Sequence, residues 1–342
     1  MTDVSFFSSP IGLGHATRDV AIANYFQNIS SKFFTGSGAA KFFAKCNFDV
    51  DDVYNPPNFI VKDGSLQSPL KWLWAYYKYY KECKSISKNI ISKYKPNLVV
   101  SDEDFASLSI AQENKIPTIL ITDILETRFA KGLGGFIEKK MNRSMKDIIN
   151  KCDTVILPEF GEDEDNIKRV GPIVRQTNST REELRKKYDF SNKTILVSIG
   201  GTNAGQFLIE KILKIMPNLD SNYEIVIVSG PSLQGNYVEK IRNLGFVENL
   251  HELIFASDVI VSLAGKSTID ESKAYGTPGI FIPIKGHFEQ EDNAKDEGFS
   301  YDDIENLERL ISQKINQKRS STSTNGAQKA YEIISQVLGS NA

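Results

Sequence analysis

Cysteine and histidine are scarce in this 342-residue sequence, with three of each beside two tryptophans. The cysteines, Cys46, Cys83 and Cys152, are odd in number and far apart, so they suit neither a disulfide ladder nor a CxxC zinc pair, and a reducing compartment is expected. Neither sign of charge dominates. Against 43 Asp and Glu stand 41 Lys and Arg, a formal net charge of -2, which argues against the broad basic surface that nucleic acid requires. No run of about 18 uncharged apolar residues occurs, so no transmembrane helix is expected. The start, MTDVSFFSSPIG, has neither the positive leader nor the apolar run of a secretory signal, and a cytoplasmic location is the expectation. What is present is the composition of a globular protein, 40% hydrophobic and 25% charged, in a chain long enough for two cores.

Short β-branched or apolar runs alternate with longer helical stretches throughout. VSFFSS (4–9), NLVVSD (97–102), TILITD (118–123) and TVILPE (154–159) read as strands. A second series follows at TILVSIGG (194–201), EIVIVSG (224–230), DVIVSLAG (258–265) and GIFIPI (279–284). Strand then helix, repeated, means crossover connections and parallel sheets. Two series predict an α/β chain of two doubly wound, Rossmann-like domains. Gly171-Pro172, after the acidic stretch GEDEDN, punctuates the backbone, and the linker is placed near Gly171–Arg175. The expected division is 1–172, 173–320, and a closing amphipathic helix within 321–342 that packs back on the first domain.

Four strand-to-helix turns carry chemistry. In SSPIGLGHATRD (8–19), Gly12 and Gly14 follow the first strand and a helix opens near Ala16. Glycines there let a ligand approach the backbone, and a helix start favours anions. The dinucleotide fingerprint GxGxxG is not met, because Thr17 stands at its third glycine. His15 falls at the carboxyl edge of a parallel sheet, where open α/β sheets bind ligands, and imidazole suits a general base; the alternative is a histidine satisfied within its loop. In SDEDF (101–105), Asp102, Glu103 and Asp104 read as a metal-binding DxD, as a solvated acidic loop, or as a carboxylate, Asp102, that orients His15. The last is preferred, since no further ligand cluster lies nearby in sequence. After ILVSI, Gly200, Gly201, Thr202, Asn203 and Gly205 offer amides and a hydroxyl for a phosphate, without the lysine and spacing of a Walker loop. The richest segment is VSLAGKSTIDESKAYGTPGIFIPIKGHFEQEDNA (261–294). There Gly265, Lys266, Ser267 and Thr268 open a helix suited to a diphosphate, and Glu271 one turn on suits a ribose diol. His287, Glu289 and Gln290 offer the donors and acceptors that sugar hydroxyls need.

GLGHATR, VSDEDFASLSIAQENKIPTILITD, VGPIVR, VSIGGT and AGKSTIDESKAYGTPGIFIPIKGHFEQEDNA together resemble, in order and spacing, the GT-B glycosyltransferases. The group is the one containing the peptidoglycan lipid II N-acetylglucosaminyltransferase and, more distantly, the UDP-glycosyltransferases, with archaeal members nearest in look. The resemblance implies two Rossmann-like domains facing a cleft, the first binding the acceptor and the second the nucleotide-sugar donor. It implies His15 as catalytic base with Asp102 as its partner. Around the donor diphosphate it puts Gly14, Arg175, Gly201, Thr202, Gly265, Lys266, Ser267 and Thr268, with Glu271 on the ribose. Phe246 and Val247 fall in a loop whose backbone reads uracil, and His287, Glu289 and Gln290 at the donor sugar. His251, beside that loop, is taken as structural. The spacing from His287 to Asn293 is nearer the plant pattern, which leaves the donor sugar open.

The implied activity is inverting, metal-independent transfer of a hexose or N-acetylhexosamine from a UDP-sugar to a lipid-linked or glycolipid acceptor. No cofactor is expected beyond that co-substrate. His15 takes the acceptor's proton as UDP leaves, and domain closure excludes water. Two stretches are candidates for peripheral contact with the cytoplasmic membrane face. SPLKWLWAYYKYYKE (68–82) has two Trp, four Tyr and three Lys, which reads first as a core-facing stripe and second as an interfacial helix. RFAKGLGGFIEKKMNRSMK (128–146) is an apolar glycine loop leading into a basic helix. A GT-B sugar-nucleotide epimerase and a non-catalytic UDP-sugar-binding subunit are the alternatives. The second weakens because both halves, with His15 and Asp102, lie in one chain.

Overall fold

The computed structural model describes residues 3–128, 133–201, 203–229 and 241–340. The chain divides into two units: Met1–Asn58 with Ser68–Val174 and Thr324–Ala342, and Phe59–Gln67 with Arg175–Ser323. Strands β1 (Val4–Ser8), β2 (Ser31–Thr35) and β3 (Val50–Asp52) open the first unit, and β4 (Val61–Lys62) and β5 (Ser65–Leu66) belong to the second. The first unit then continues through β6 (Leu98–Asp102), β7 (Thr118–Ile121), β8 (Thr154–Leu157) and β9 (Ile167–Arg169). Its sheet runs β3-β2-β1-β6-β7-β8-β9, parallel throughout.

Every residue of β1, VSFFS, is buried, as a parallel sheet covered on both faces requires. Successive side chains point to opposite faces, so Phe6 stacks on Phe33 while Phe7 stacks on Phe34. Each such ring, fully buried, contributes roughly 1.5–3 kcal/mol. The helix Gly326–Ser340 belongs to this unit and lays the Tyr331 ring 5.8 Å from Phe26 and 6.2 Å from Tyr25.

The second unit contains β10 (Lys193–Ser198), β11 (Tyr223–Val228), β12 (Ile241–Asn243), β13 (Val259–Leu263) and β14 (Gly279–Ile282), in the parallel order β12-β11-β10-β13-β14. One excursion departs from the boundary expected at 172/173. β4 and β5 pair as an antiparallel hairpin, and Leu66 N–H donates to Lys285 O while Lys285 N–H donates to Gly64 O, both at 2.8 Å. Those bonds fasten residues 59–67 to the second unit, and two-residue strands carry too little periodicity to be read from sequence.

Both sheets are doubly wound. Strand order reverses between β1 and β6 in the first and between β10 and β13 in the second, and ligands of such sheets bind beyond the carboxyl ends of the strands at that reversal. No helix among the described residues is long and apolar enough to cross a membrane. The three cysteines are free thiols.

Candidate functional site

In the first unit the register pairs Ser8 with Asp102, so the turn after β1 stands beside the end of β6. Gly12 in that turn has φ +81, and a Cβ there would meet nothing within 4 Å, so the position needs glycine's conformation and borders open space. His15 is the second residue of the helix Gly14–Ala23, and its Nδ1 lies 2.7 Å from Asp102 Oδ1. Arg18, one turn on and buried, donates from Nε to Asp102 Oδ2 (2.8 Å), from Nη2 to Oδ1 (2.6 Å) and from Nη1 to Asp123 Oδ1 (2.5 Å). Asp102 is fully buried and accepts from both cations.

Electrostatics follow from this packing. Burial opposes the charged imidazole, but Asp102 and Glu103 and the Asp102 hydrogen bond outweigh it, and His15 is pushed up to about 10. Burial likewise opposes charge on Asp102, yet Arg18 and His15 hold it well below the usual carboxylate range. Asp19, completely buried, is pushed far up by that burial and then by the charge of Asp102.

The three adjacent acids have separate duties. Asp104 caps the helix Phe105–Glu113, accepting from Ala106 N–H (3.1 Å) and from the Tyr54 hydroxyl (2.8 Å). Glu103 accepts from the Thr122 hydroxyl (3.0 Å) and Asp123 N–H (3.1 Å), and its Oε2 lies 3.8 Å from His15 Nε2. Among the described residues no cluster of three His, Cys, Asp or Glu is arranged to hold a metal. Arg18, Glu103 and Asp123 enter this network without having been singled out from the sequence as its members. Arg18 carries a signal, since it lies three residues after His15 on one helix face.

In the second unit Gly200 follows β10 with φ +76, again facing open space, and Gly201 comes next; Thr202 lies outside the described residues. Gly265 caps the helix Lys266–Tyr275 without a side-chain hydrogen bond, and a Cβ on it would meet nothing within 4 Å. Ser267 and Thr268 are half-buried in the first turn, whereas Asp270 and Glu271 are buried in the next. Lys266 Nζ lies 2.5 Å from both Asp270 carboxylate oxygens. Arg175 is a buried brace. Its Nε and Nη2 lie 3.0 Å from Glu271 Oε1, and Nη1 donates to Glu248 O (2.5 Å). It thereby fixes Glu271 against the loop that carries Phe246 and Val247. Burial pushes the Glu271 carboxyl up, and Arg175 pulls it back.

The residues expected at the donor sugar open the helix Phe288–Asp296. Gln290 Oε1 accepts from Ile284 N–H (3.1 Å), and Asn293 Nδ2 donates to Ala264 O (3.2 Å), tying this helix to the Gly265 turn. Glu289 is half-buried in its first turn. His287 is buried edge-on against Phe59, with ring centroids 5.1 Å apart, and burial lowers it to about 4, so it is neutral at pH 7. His251 is buried as well, and burial, then Arg175 and Lys187, lower it to about 2.

The Glycosyltransferase family 28 C-terminal domain matches residues 194–337. An uncharacterized glycosyltransferase of Methanosarcina acetivorans is 26% identical over 319 residues, 84% of this chain and 82% of that protein. The UDP-N-acetylglucosamine--N-acetylmuramyl-(pentapeptide) pyrophosphoryl-undecaprenol N-acetylglucosamine transferase of Staphylococcus saprophyticus is 28% identical over 222 residues, 61% of this chain and 59% of that protein. Among solved structures, the calicheamicin glycosyltransferase CalG4 superposes with TM-score 0.65 at 13% identity over the whole of both chains. MurG of Acinetobacter baumannii does so with TM-score 0.54 at 15% identity, over 97% of this chain and 99% of that one. The chain thus has the GT-B fold, carries a glycosyltransferase family 28 C-terminal domain over residues 194–337, and is similar to glycosyltransferases over most of its length.

Proposed function

We propose that the protein is an inverting, metal-independent transferase that moves a hexose or N-acetylhexosamine from a UDP-sugar to a hydroxyl of a lipid-linked or glycolipid acceptor at the cytoplasmic membrane face. The observation that carries this reading is the His15–Asp102 pair at the switch point of the first sheet. Asp102 engages Nδ1 and leaves Nε2 to receive a proton. The acceptor oxygen bonds to the anomeric carbon as its proton passes to Nε2. The bond from that carbon to the diphosphate breaks, and the electron pair leaves with UDP. One displacement inverts the centre.

The second unit supplies the donor side. A lysine in the first turn of a helix opposes the helix dipole by about 0.3–1 kcal/mol. Lys266 also precedes Asp270 by four residues, the weaker order for such a pair. A diphosphate over the Gly265 turn converts that unfavourable placement into attraction, and Lys266 with the first-turn amides meets the charge that develops on the leaving group. Glu271, held by Arg175 through Oε1, presents its remaining oxygen to the ribose hydroxyls. The backbone at Phe246 and Val247 takes the uracil, and His287, Glu289 and Gln290 surround the donor sugar.

Support for a lipid-linked acceptor comes from the Staphylococcus saprophyticus relative, whose name specifies a pyrophosphoryl-undecaprenol substrate, and from the surface of the first unit. The helix Pro69–Tyr94 turns Leu73 inward and exposes Leu70, Trp74 and Tyr77 beside Lys71, Lys78 and Lys81. Lys139, Lys140, Arg143 and Lys146 are exposed on the helix Leu133–Ile149. Residues 129–132, with the side chains of Leu133, Phe136 and Ile137, lie outside the described residues. The test is turnover with a panel of UDP-, dTDP- and GDP-sugars, with and without acceptor. Acceptor-dependent release of UDP is expected. Sugar isomerisation without an acceptor would replace this reading by an epimerase.

A further inference from the structure

Asp102 is not the only carboxylate beside the base. Glu103 follows it directly, and its backbone takes φ +56, a left-handed conformation that is strained for a non-glycine residue. Strain of this kind persists where the surroundings over-determine it, and it concentrates at functional sites. Here the surroundings are explicit. The Thr122 hydroxyl (3.0 Å) and the Asp123 N–H (3.1 Å) both donate to Oε1, which leaves Oε2 turned to His15 Nε2 at 3.8 Å. That distance is too long for a direct hydrogen bond. It is suited instead to two atoms standing side by side, Oε2 an acceptor and Nε2 an acceptor in the neutral form in which the base works, each able to take a hydroxyl at about 2.7–2.8 Å. Both side chains reach the surface, His15 at 16% and Glu103 at 15% exposure. Nδ1 is committed to Asp102, so Nε2 is the nitrogen that meets the attacking hydroxyl.

The geometry points to Glu103 as an acceptor-binding residue that accepts a hydrogen bond from the hydroxyl adjacent to the attacking one, which makes the reacting group of the acceptor a vicinal diol rather than an isolated alcohol. This rests on the reading of His15 as general base. A sugar ring and a glycerol both present such a diol, and the shared feature is what Glu103 recognises. A carboxylate suits the role because it only accepts, so an acceptor lacking the second hydroxyl leaves it desolvated and unsatisfied. Burial pushes the Glu103 carboxyl up, His15 and Arg18 pull it back, and the charges of Asp123 and Asp102 add to the rise.

The test uses the full chain with the nucleotide sugar selected by the panel and three acceptors of equal chain length: octyl glucoside, 1-O-octylglycerol and 1-octanol. Wild type is expected to favour at least one of the two diols over octanol at least tenfold in kcat/KM, and which one identifies the source of the diol. In Glu103→Gln, whose amide oxygen still accepts from Thr122 and Asp123, that ratio is expected to fall at least tenfold, mainly through acceptor KM. An unchanged ratio in the variant overturns the assignment. So does a wild-type enzyme without diol preference, a result that needs no variant to fold. His15→Ala is run in parallel: full turnover there removes the base itself and this inference with it, whereas its inactivity beside an unchanged Glu103→Gln ratio removes the diol alone.

Discussion

Asp102 answers to two cations at once, and that division governs the chemistry of His15. Arg18 takes both carboxylate oxygens while His15 shares one of them, so the imidazole is oriented by an acid that a guanidinium holds in place. Its value near 10 has a sign that can be measured. A base works in its neutral form, so kcat/KM of the free enzyme should climb as pH rises from neutrality toward that value. Glu103→Gln removes one of the two carboxylates that raise it, and the climb should move to lower pH; an unmoved profile would contradict the assignment. Gly265→Ala is a second test at this scale. Neither backbone conformation nor packing demands glycine there, and replacing it at the cap costs the helix no more than about 1 kcal/mol. UDP affinity, read by calorimetry, should nonetheless fall at least tenfold, because the methyl group enters the space assigned to the diphosphate. Unchanged affinity would move the diphosphate elsewhere. His15 and Asp102 were legible in sequence because each ends a strand-turn with few residue types able to do its work. Arg18, Asp123 and Glu103 were not, because their partnership depends on β1, β6 and β7 being neighbours.

Among the elements, the helix Lys266–Tyr275, to which most of the proposed donor site is assigned, is anchored by one buried ion pair. Arg175 and Glu271 lie 96 positions apart and meet at 3.0 Å, both nearly excluded from water. Removing one partner strands the other, at a cost of about 3–5 kcal/mol. Arg175→Ala should therefore lower the melting temperature by roughly 2–4 °C for each kcal/mol, as well as weakening UDP binding; a melting point equal to wild type would show that the pair is not formed in solution. The resemblance placed Arg175 near the diphosphate, and the structure shows its guanidinium committed to Glu271 and Glu248. The eight strands read from the sequence are continuous apolar runs and all form, because strands buried on both faces have that composition. β2, β3, β9 and β12 lie outside those eight runs, as do the two-residue β4 and β5. β3, β9 and β12 are three residues each, mix charged with apolar side chains, and take their strand geometry from the neighbours they pair with.

For the molecule as a whole, the balanced charge hides a local arrangement. Leu70, Trp74 and Tyr77 are exposed on one helix with three lysines beside them, while Trp72 on the same helix donates its indole N–H to Pro57 O (3.1 Å). The aromatic stretch 68–82 thus packs one face inward and leaves Trp74 and Tyr77 exposed on another, and an interfacial role for that exposed face is open to test. Wild type should co-sediment with vesicles containing anionic lipid, and Trp74→Ser combined with Lys78→Glu should weaken that binding severalfold; equal pelleting of the two would remove this face from the account. The claim at the centre is that His15 takes the acceptor's proton during transfer from a UDP-sugar. The most direct measurement is UDP release with donor and acceptor, wild type beside His15→Ala, with UDP affinity measured on both. The account predicts a loss of 10²–10⁴ in kcat, the usual worth of a general base, with UDP affinity retained. Full turnover by His15→Ala would contradict it.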